Sequence, residues 1–322
     1  MRILHVYKDY FPVLGGIENH IKVLAEAHAT AGHRVSVLVC ETGFQSRHGK
    51  LNGVALYKAG RLGTLASMPI SLRQPLMLAR LHPDIVHVHS PYPLGEVSAW
   101  LLKPHKPRVV TYHSDVVRQR GWLRIYGPLL RRVLHTTDRI LATSPRYIEM
   151  SPWLAPERDH CVVVPLGVNH RRFTPPTVPF DGPPTLLFVG RLRYYKGLDT
   201  LLWAMTKLSP EVELRVVGTG PMLEPWQSLT AELDIVDRVV FTGEVSDAEL
   251  PDHYRATTLF VLPANARAEA FGTVLLEAMA SGLPCVATEV GSGTSWVVRD
   301  GVTGRVVPPQ APDAMAAVVQ EL

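Results

Sequence analysis

The sequence predicts an α/β protein of two doubly wound, Rossmann-like domains whose parallel sheets face one another across a cleft. Short apolar runs alternate with amphipathic, helix-spaced stretches along the whole chain, the pattern of parallel strands covered on both faces by helices. That rhythm breaks once, at FTPPTVPFDGPP (residues 173–184), where five prolines in twelve residues exclude a helix or a central strand. The length of 322 residues also suits two domains of roughly 150 residues each. The expected organisation is therefore an N-terminal domain over 1–172, a linker over 173–184 and a C-terminal domain over 185–322.

In the first half the runs Ile3–Tyr7, Val35–Cys40, Ile85–Val88, Val109–Tyr112, Ile140–Ala142 and Cys161–Val164 are expected as buried strands. Helical spacing lies between several of them, over 16–31 and 122–135. After the linker the strands expected are Leu186–Val189, Leu214–Val217, Val239–Phe241, Leu259–Leu262 and Cys285–Ala287. The chain stops at MAAVVQEL inside an expected helix, so the second domain reads as short at its C-terminus.

Composition narrows the function classes. With 46% hydrophobic and 19% charged residues the chain is an ordinary globular one. No apolar run reaches the roughly 18–20 residues that cross a bilayer, and the first strand begins at once, which argues against a secretory signal. Cys40, Cys161 and Cys285 are odd in number and sit in or beside apolar runs, as reduced core residues of a cytoplasmic protein do. The net charge of +4 hides an asymmetry: residues 1–172 hold 23 Lys+Arg against 11 Asp+Glu, a net of +12, and residues 173–322 hold 10 against 18, a net of −8. A basic half suits a phosphorylated ligand, an anionic membrane or nucleic acid, and charge does not choose among them.

Several motifs fall at strand ends, where open α/β sheets bind ligands. Gly15-Gly16 opens the first helix after the first strand; it is either a tight turn or a place where backbone and helix N-terminus approach a diphosphate. It is not GxGxxG, so it adds nothing to a dinucleotide reading. VGRLRYYKG (189–197) sets Arg191 after a strand and Lys196 near a helix start, two cations suited to a departing nucleoside diphosphate. VGTGP (217–221) brings Gly218 to the same edge.

EAFGTVLLEAMASG (269–282) carries the strongest signal. Glu269 and Phe271-Gly272 lie in a loop after a strand, and Glu277 lies on the helix that begins near Thr273. Carboxylates accept two hydrogen bonds from vicinal hydroxyls, so one can hold a ribose and the other a sugar ring, while the N–H groups of Gly272 and Thr273 face the donor. His113 follows the strand Val109–Tyr112, a sheet-edge position that suits a site.

His87 and His89 share a strand face, but no third metal ligand is evident from the sequence, and both read as buried, hydrogen-bonded histidines. There is no Asp-x-Asp, so neither a metal nor another cofactor is expected. The stretch 116–139 interleaves Arg118, Arg120, Arg124, Arg131, Arg132 and Arg139 with Trp122, Leu123, Ile125, Leu129 and Leu130. It is either a core-packed helix with a solvated basic face or a segment that rests on an anionic membrane. No recognition fold for nucleic acid accompanies the charge.

The order GG, YHSD, VGRLRYYKG, VGTGP, EAFGTVLLEAMASG resembles the retaining glycosyltransferases of family four, the group 1 glycosyltransferases, over residues 2 to about 320. The resemblance implies a GT-B fold and transfer of a hexose-type sugar from a nucleoside-diphosphate sugar, itself a substrate and not a cofactor, to a lipid-linked or oligosaccharide acceptor. It implies Gly15 and Gly16 near the diphosphate, Arg191 and Lys196 on the phosphates, Glu269 on the donor sugar, Glu277 on the ribose and His113 beside the reacting centre. YHSD and RYYKG are reminiscent of members that use GDP-mannose-like donors, and members that glycosylate lipid carriers rest their N-terminal domain on the inner face of the membrane. Two alternatives share these motifs: a GT-B sugar-nucleotide epimerase, and a non-catalytic nucleotide-sugar-binding module, suggested by the short C-terminus.

Overall fold

A computed structural model describes residues 1–13, 15–65, 68–116, 120–178 and 180–322, with backbone alone at Arg120 and Trp122. The chain divides into two compact units, Met1–Pro165 and Leu166–Leu322.

The first unit holds an eight-stranded sheet and a small hairpin. Its strands are β1 (Arg2–Val6), β2 (Arg34–Cys40), β3 (Arg47–Leu51), β4 (Val54–Ala59), the hairpin β5 (Gly63–Leu65) and β6 (Met68–Ile70), then β7 (Ile85–Ser90), β8 (Arg108–Tyr112), β9 (Arg139–Ala142) and β10 (Cys161–Val163). The order β10-β9-β8-β7-β1-β2-β4-β3 is parallel except for the edge strand β3, which runs antiparallel to β4. β3 (RHGKL) has four exposed residues of five, and its charges protect an open sheet edge. The helix Gly16–Thr30 packs Ile21 and Ala25 against Val35, Val37 and Val54. His5 stands level with His87 in the β1–β7 pairing.

The second unit has a wholly parallel six-stranded sheet: β11 (Thr185–Val189), β12 (Glu213–Val217), β13 (Val239–Gly243), β14 (Leu259–Leu262), β15 (Cys285–Thr288) and β16 (Gly304–Val307), in the order β13-β12-β11-β14-β15-β16. Alternate residues of β11 enter different cores: Leu186 and Phe188 pack with Leu201, Val216, Trp226 and Met315, whereas Leu187 and Val189 pack with Tyr254, Phe260, Leu275 and Cys285. Both faces are thus covered, which is why β11 is buried throughout. Phe173 joins the second of these cores, edge-on to Tyr254, so the proline-rich segment is anchored to this unit at its start. The final helix Pro312–Glu321 buries Met315, Ala316 and Val318.

Among the parallel strands of each sheet the order reverses once, between β1 and β7 in the first and between β11 and β14 in the second. The carboxyl-end loops of the strands at such a point are where open α/β sheets bind their ligands.

Candidate functional site

In the second unit the loops after β11, β12 and β14 meet at that reversal. Gly190 N–H donates to Val217 O at 3.0 Å and Leu192 N–H to Thr219 O at 2.9 Å, joining the first two loops. Asn265 then donates through its backbone N–H to Tyr195 O and through its side chain to Tyr194 O, each at 3.0 Å, joining the first loop to the third. Gly218 sits at the tightest crossing: its φ is 127°, and a Cβ there would fall 2.2 Å from Gly190 O.

Lys196 and Glu269 face each other across these loops. Lys196 ends a single 3₁₀ turn, Tyr194–Lys196, just before the helix Leu198–Met205. Its Nζ lies 2.6 Å from Glu269 Oε2, and the two side chains are only 10% and 11% exposed. Burial alone lowers the ammonium pKa, but the Glu269 carboxylate, with Tyr195 and Glu277, more than offsets it and leaves the group above its ordinary value. Lys196 therefore stays charged, and two of its three N–H donors remain for a phosphate. The sequence reading gives Lys196 to the phosphates and Glu269 to the sugar as separate tasks; the structure couples them in one ion pair.

Glu277 lies one turn into the helix Thr273–Ala280, partly buried, and its Oε2 accepts from the Tyr254 hydroxyl at 2.8 Å. Burial raises its pKa, against the opposing pull of that hydrogen bond and of Arg172. Gly272 precedes the helix with φ 76°, and a Cβ there would lie 2.7 Å from the Leu262 side chain, so only glycine admits this entry to the helix. Thr273 begins the helix, whose first N–H groups have no partner within it. Phe271 turns inward, 3% exposed, and packs near Trp296. Arg191 is exposed and makes no ion pair among the described residues, so it is free to meet an anion.

The first unit carries the other candidates. Gly15 is extended, with φ 177° and ψ 158°, and begins the helix Gly16–Thr30. A Cβ on Gly16 would meet nothing within 4 Å, and one on Gly15 only the flexible end of Glu18. Local folding therefore does not demand either glycine; their bareness leaves space beside a helix start. His113 is no surface histidine: it is 5% exposed and follows β8, with its backbone N–H donating to Ser90 O at 2.9 Å. The rest of YHSD is a structural anchor, with Asp115 Oδ1 accepting from Tyr112 at 3.0 Å and Ser151 at 2.7 Å.

Around His113 lies a feature that spacing does not show. His5, His20, His28, His87 and His89 gather with it at the β1–β7 reversal and on the helix Gly16–Thr30. The expectation that His87 and His89 lack a third nitrogen nearby is corrected: the ring nitrogens of His5, His87 and His89 lie within 4.8 Å of one another, as do those of His20, His89 and His113. The partners come from distant strands and a helix, so strand spacing alone cannot reveal them. Several of these nitrogens already hold hydrogen bonds, His87 Nε2 to the Thr111 hydroxyl at 2.7 Å and His89 to His5 and His113. Neither trio includes a carboxylate or thiolate to offset a divalent charge in so buried a place. These residues form a polar cluster of hydrogen-bonded rings, and a divalent ion placed there would rest on neutral imidazoles alone.

The basic segment forms the helix Arg120–His135, with Arg118 outside the described residues. Leu130, Val133 and Leu134 face the core, while Arg124, Arg131 and Arg132 are exposed together with Ile125 and Leu129. The Arg131 guanidinium stacks over Trp153. No helix among the described residues is long and apolar enough to cross a membrane.

Residues 171–322 match the family model of glycosyl transferases group 1, and residues 14–172 that of glycosyltransferase family 4. The chain is 35% identical over its full length to D-rhamnosyltransferase WbpZ of Pseudomonas aeruginosa, covering 86% of it, and 34% identical to O-antigen chain mannosyltransferase C of Escherichia coli, covering 88%. The fold is similar to that of sucrose-phosphate synthase from Thermosynechococcus elongatus, with a TM-score of 0.81 at 24% identity over 99% of this chain and 89% of that one. HepE of Anabaena, solved with UDP-glucose, gives 0.76 at 17% identity over 100% and 89%. With both halves matched and full-length relatives above 30% identity, the chain belongs to the group 1, family 4 glycosyltransferases: it is a hexosyltransferase of the GT-B fold.

Proposed function

We propose that this enzyme transfers a hexose-type sugar, with retention of anomeric configuration, from a nucleoside-diphosphate sugar to a hydroxyl acceptor in the assembly of a polysaccharide or glycolipid. The observation that carries the reading is the Lys196–Glu269 ion pair at the strand reversal of the second sheet, with exposed Arg191 and the carboxyl of Glu277 on elements that leave the same sheet edge. Arg191 and the spare donors of Lys196 supply the positive charge that a departing diphosphate needs. Glu277, steadied by Tyr254, accepts from the ribose hydroxyls; Glu269 orients the sugar while holding Lys196. Gly218, Phe271, Gly272 and Thr273 shape the backbone against the donor; Gly15-Gly16 and His113 keep the roles that the resemblance gives them. With two cations in place of a metal, the reaction runs without a divalent ion or other cofactor.

A GDP-mannose-like donor is favoured, since relatives at 34–35% identity are named as transferring mannose and D-rhamnose. The exposed arginines of the helix Arg120–His135, interleaved with Ile125 at 73% exposure and Leu129 at 41%, support a resting place on the anionic inner face of the membrane. The test is to incubate purified enzyme with UDP-, GDP-, ADP- and dTDP-sugars and a panel of lipid-linked and oligosaccharide acceptors, and to read product configuration by NMR. Transfer from one donor with retention in the presence of EDTA is expected. Release of an altered free sugar nucleotide would establish an epimerase instead, and binding without turnover on any acceptor a non-catalytic module.

A further inference from the structure

Four histidines of the first unit are joined ring to ring. His28 Nδ1 lies 3.3 Å from His5 Nε2, His5 Nδ1 lies 3.1 Å from His89 Nε2, and His89 Nδ1 lies 3.0 Å from His113 Nε2. All three contacts run in the same sense, from Nδ1 of one ring to Nε2 of the next. His28 is half-buried near the end of its helix, His5 and His89 have no exposure, and His113 has 5%. Burial holds the pKa values of His5, His89 and His113 well below the ordinary histidine range and lowers that of His28. All four rings are therefore neutral at pH 7.

A neutral imidazole has one N–H and one lone pair. In a row of such rings only two arrangements satisfy every contact: all protons on Nδ1, or all on Nε2. Any mixture sets two lone pairs or two N–H groups against each other in a buried place, an outcome as costly as leaving polar groups unmade. In the first arrangement His113 Nδ1 carries a proton and donates; in the second it is bare and accepts. The sense of the row is open to outside influence at its two ends, half-buried His28 and the Nδ1 of His113.

We propose that His28, His5 and His89 are positioning residues whose linked tautomers set whether His113 meets its neighbour in the reaction as a donor or as an acceptor. The consequence for transfer rests on the reading of His113 given above; the linkage of the rings does not. A group at position 28 that can only accept holds every ring in the Nε2–H form. One that can only donate holds every ring in the Nδ1–H form. His87 stands outside the row, bonded to Thr111, and His20 touches His89 and His113 only edge-on.

The test uses the full chain with ¹⁵N-labelled histidine and two-bond proton–nitrogen correlations, which distinguish Nδ1–H from Nε2–H rings. In the unsubstituted protein His5, His89 and His113 are expected in one common tautomer. In His28→Glu all three are expected as Nε2–H, and in His28→Lys all three as Nδ1–H. The two variants are then expected to differ roughly tenfold or more in kcat at equal affinity for the nucleoside diphosphate, the scale on which proton donors and acceptors act. Mixed tautomers in the unsubstituted protein, or the same His113 tautomer in both variants, overturns the proposal, as does stoichiometric metal retained on His5, His87 and His89. If a variant fails to fold, the unsubstituted spectrum still decides. Tautomers that switch with no change in kcat uphold the row and overturn the reading of His113 instead.

Discussion

The two units place opposite chemistry at the same position of the same kind of sheet. At the β1–β7 reversal the first unit gathers neutral histidines, although it is the basic half of the chain; at the β11–β14 reversal the second unit gathers a charged lysine and carboxylates. Burial drives both outcomes. A group with ordinary pKa near 6.5 gives up its charge when buried without a counter-ion, whereas Lys196 keeps its charge because Glu269 is 2.6 Å away. The comparison teaches that net charge by half says little about where charge is held: the buried lysine and its carboxylate partner belong to the acidic unit.

The sharpest way to break this contrast is Lys196→Ala. It removes the proposed phosphate contact and leaves Glu269 buried without its partner, so transfer should fall by about 10²–10³-fold and the second unit should lose about 3–5 kcal/mol of stability. Urea unfolding and donor turnover measure the two losses. If both are small, the ion pair is ornamental and the contrast fails.

Acid should separate the units next. The buried histidines bind protons in the unfolded chain but not in the folded one, so their contribution is intact above pH of about 6.5 and is lost as pH falls below it. The raised pKa of Glu277 acts in the other direction: between its unfolded and folded values the folded state holds a proton that the unfolded state has released, and the penalty is relieved as pH falls. Hydrogen exchange at pH 7.5 and pH 5.5 should show the first unit opening before the second. Simultaneous loss of protection would deny the histidine row its thermodynamic weight.

Smaller effects sharpen the picture. Glu277→Gln should weaken nucleoside diphosphate binding about tenfold, roughly the worth of one hydrogen bond to a charged group, while raising Tm at pH 7 by a few degrees because a buried charge is gone. A lowered Tm would mean that Glu277 is structural. Replacing Arg131 and Arg132 with Glu should reduce binding to anionic vesicles by about 2 kcal/mol or more, from roughly 1 kcal/mol per basic residue, and leave donor binding unchanged. Unaltered vesicle binding would leave this helix with a merely solvated basic face.

Much of the scaffold was legible because buried parallel strands write themselves as apolar runs. β2 begins at Arg34 against an expected Val35, and β11 and β12 each begin one residue ahead of expectation. β3 escaped because RHGKL has no apolar alternation, and β4 and β16 because VALYKA and GRVV are short and mixed. The glycines and the carboxylates of EAFGTVLLEAMASG were visible as motifs, since ligand loops follow strands in a regular way. Contacts across loops were not. Nothing local to Lys196 announces Glu269 as its partner, and nothing in IVHVHS announces His5 or His113, because those meetings depend on strand order, which periodicity does not encode.

The most direct test of the central claim, a nucleoside-diphosphate site at the reversal point of the second sheet, is hydrogen exchange with and without the diphosphate that binds tightest. The account predicts slowed exchange in 190–197, 218–221 and 269–278, with little change through β2 to β4 of the first unit. Protection confined to the first unit, or spread evenly over both, would contradict it.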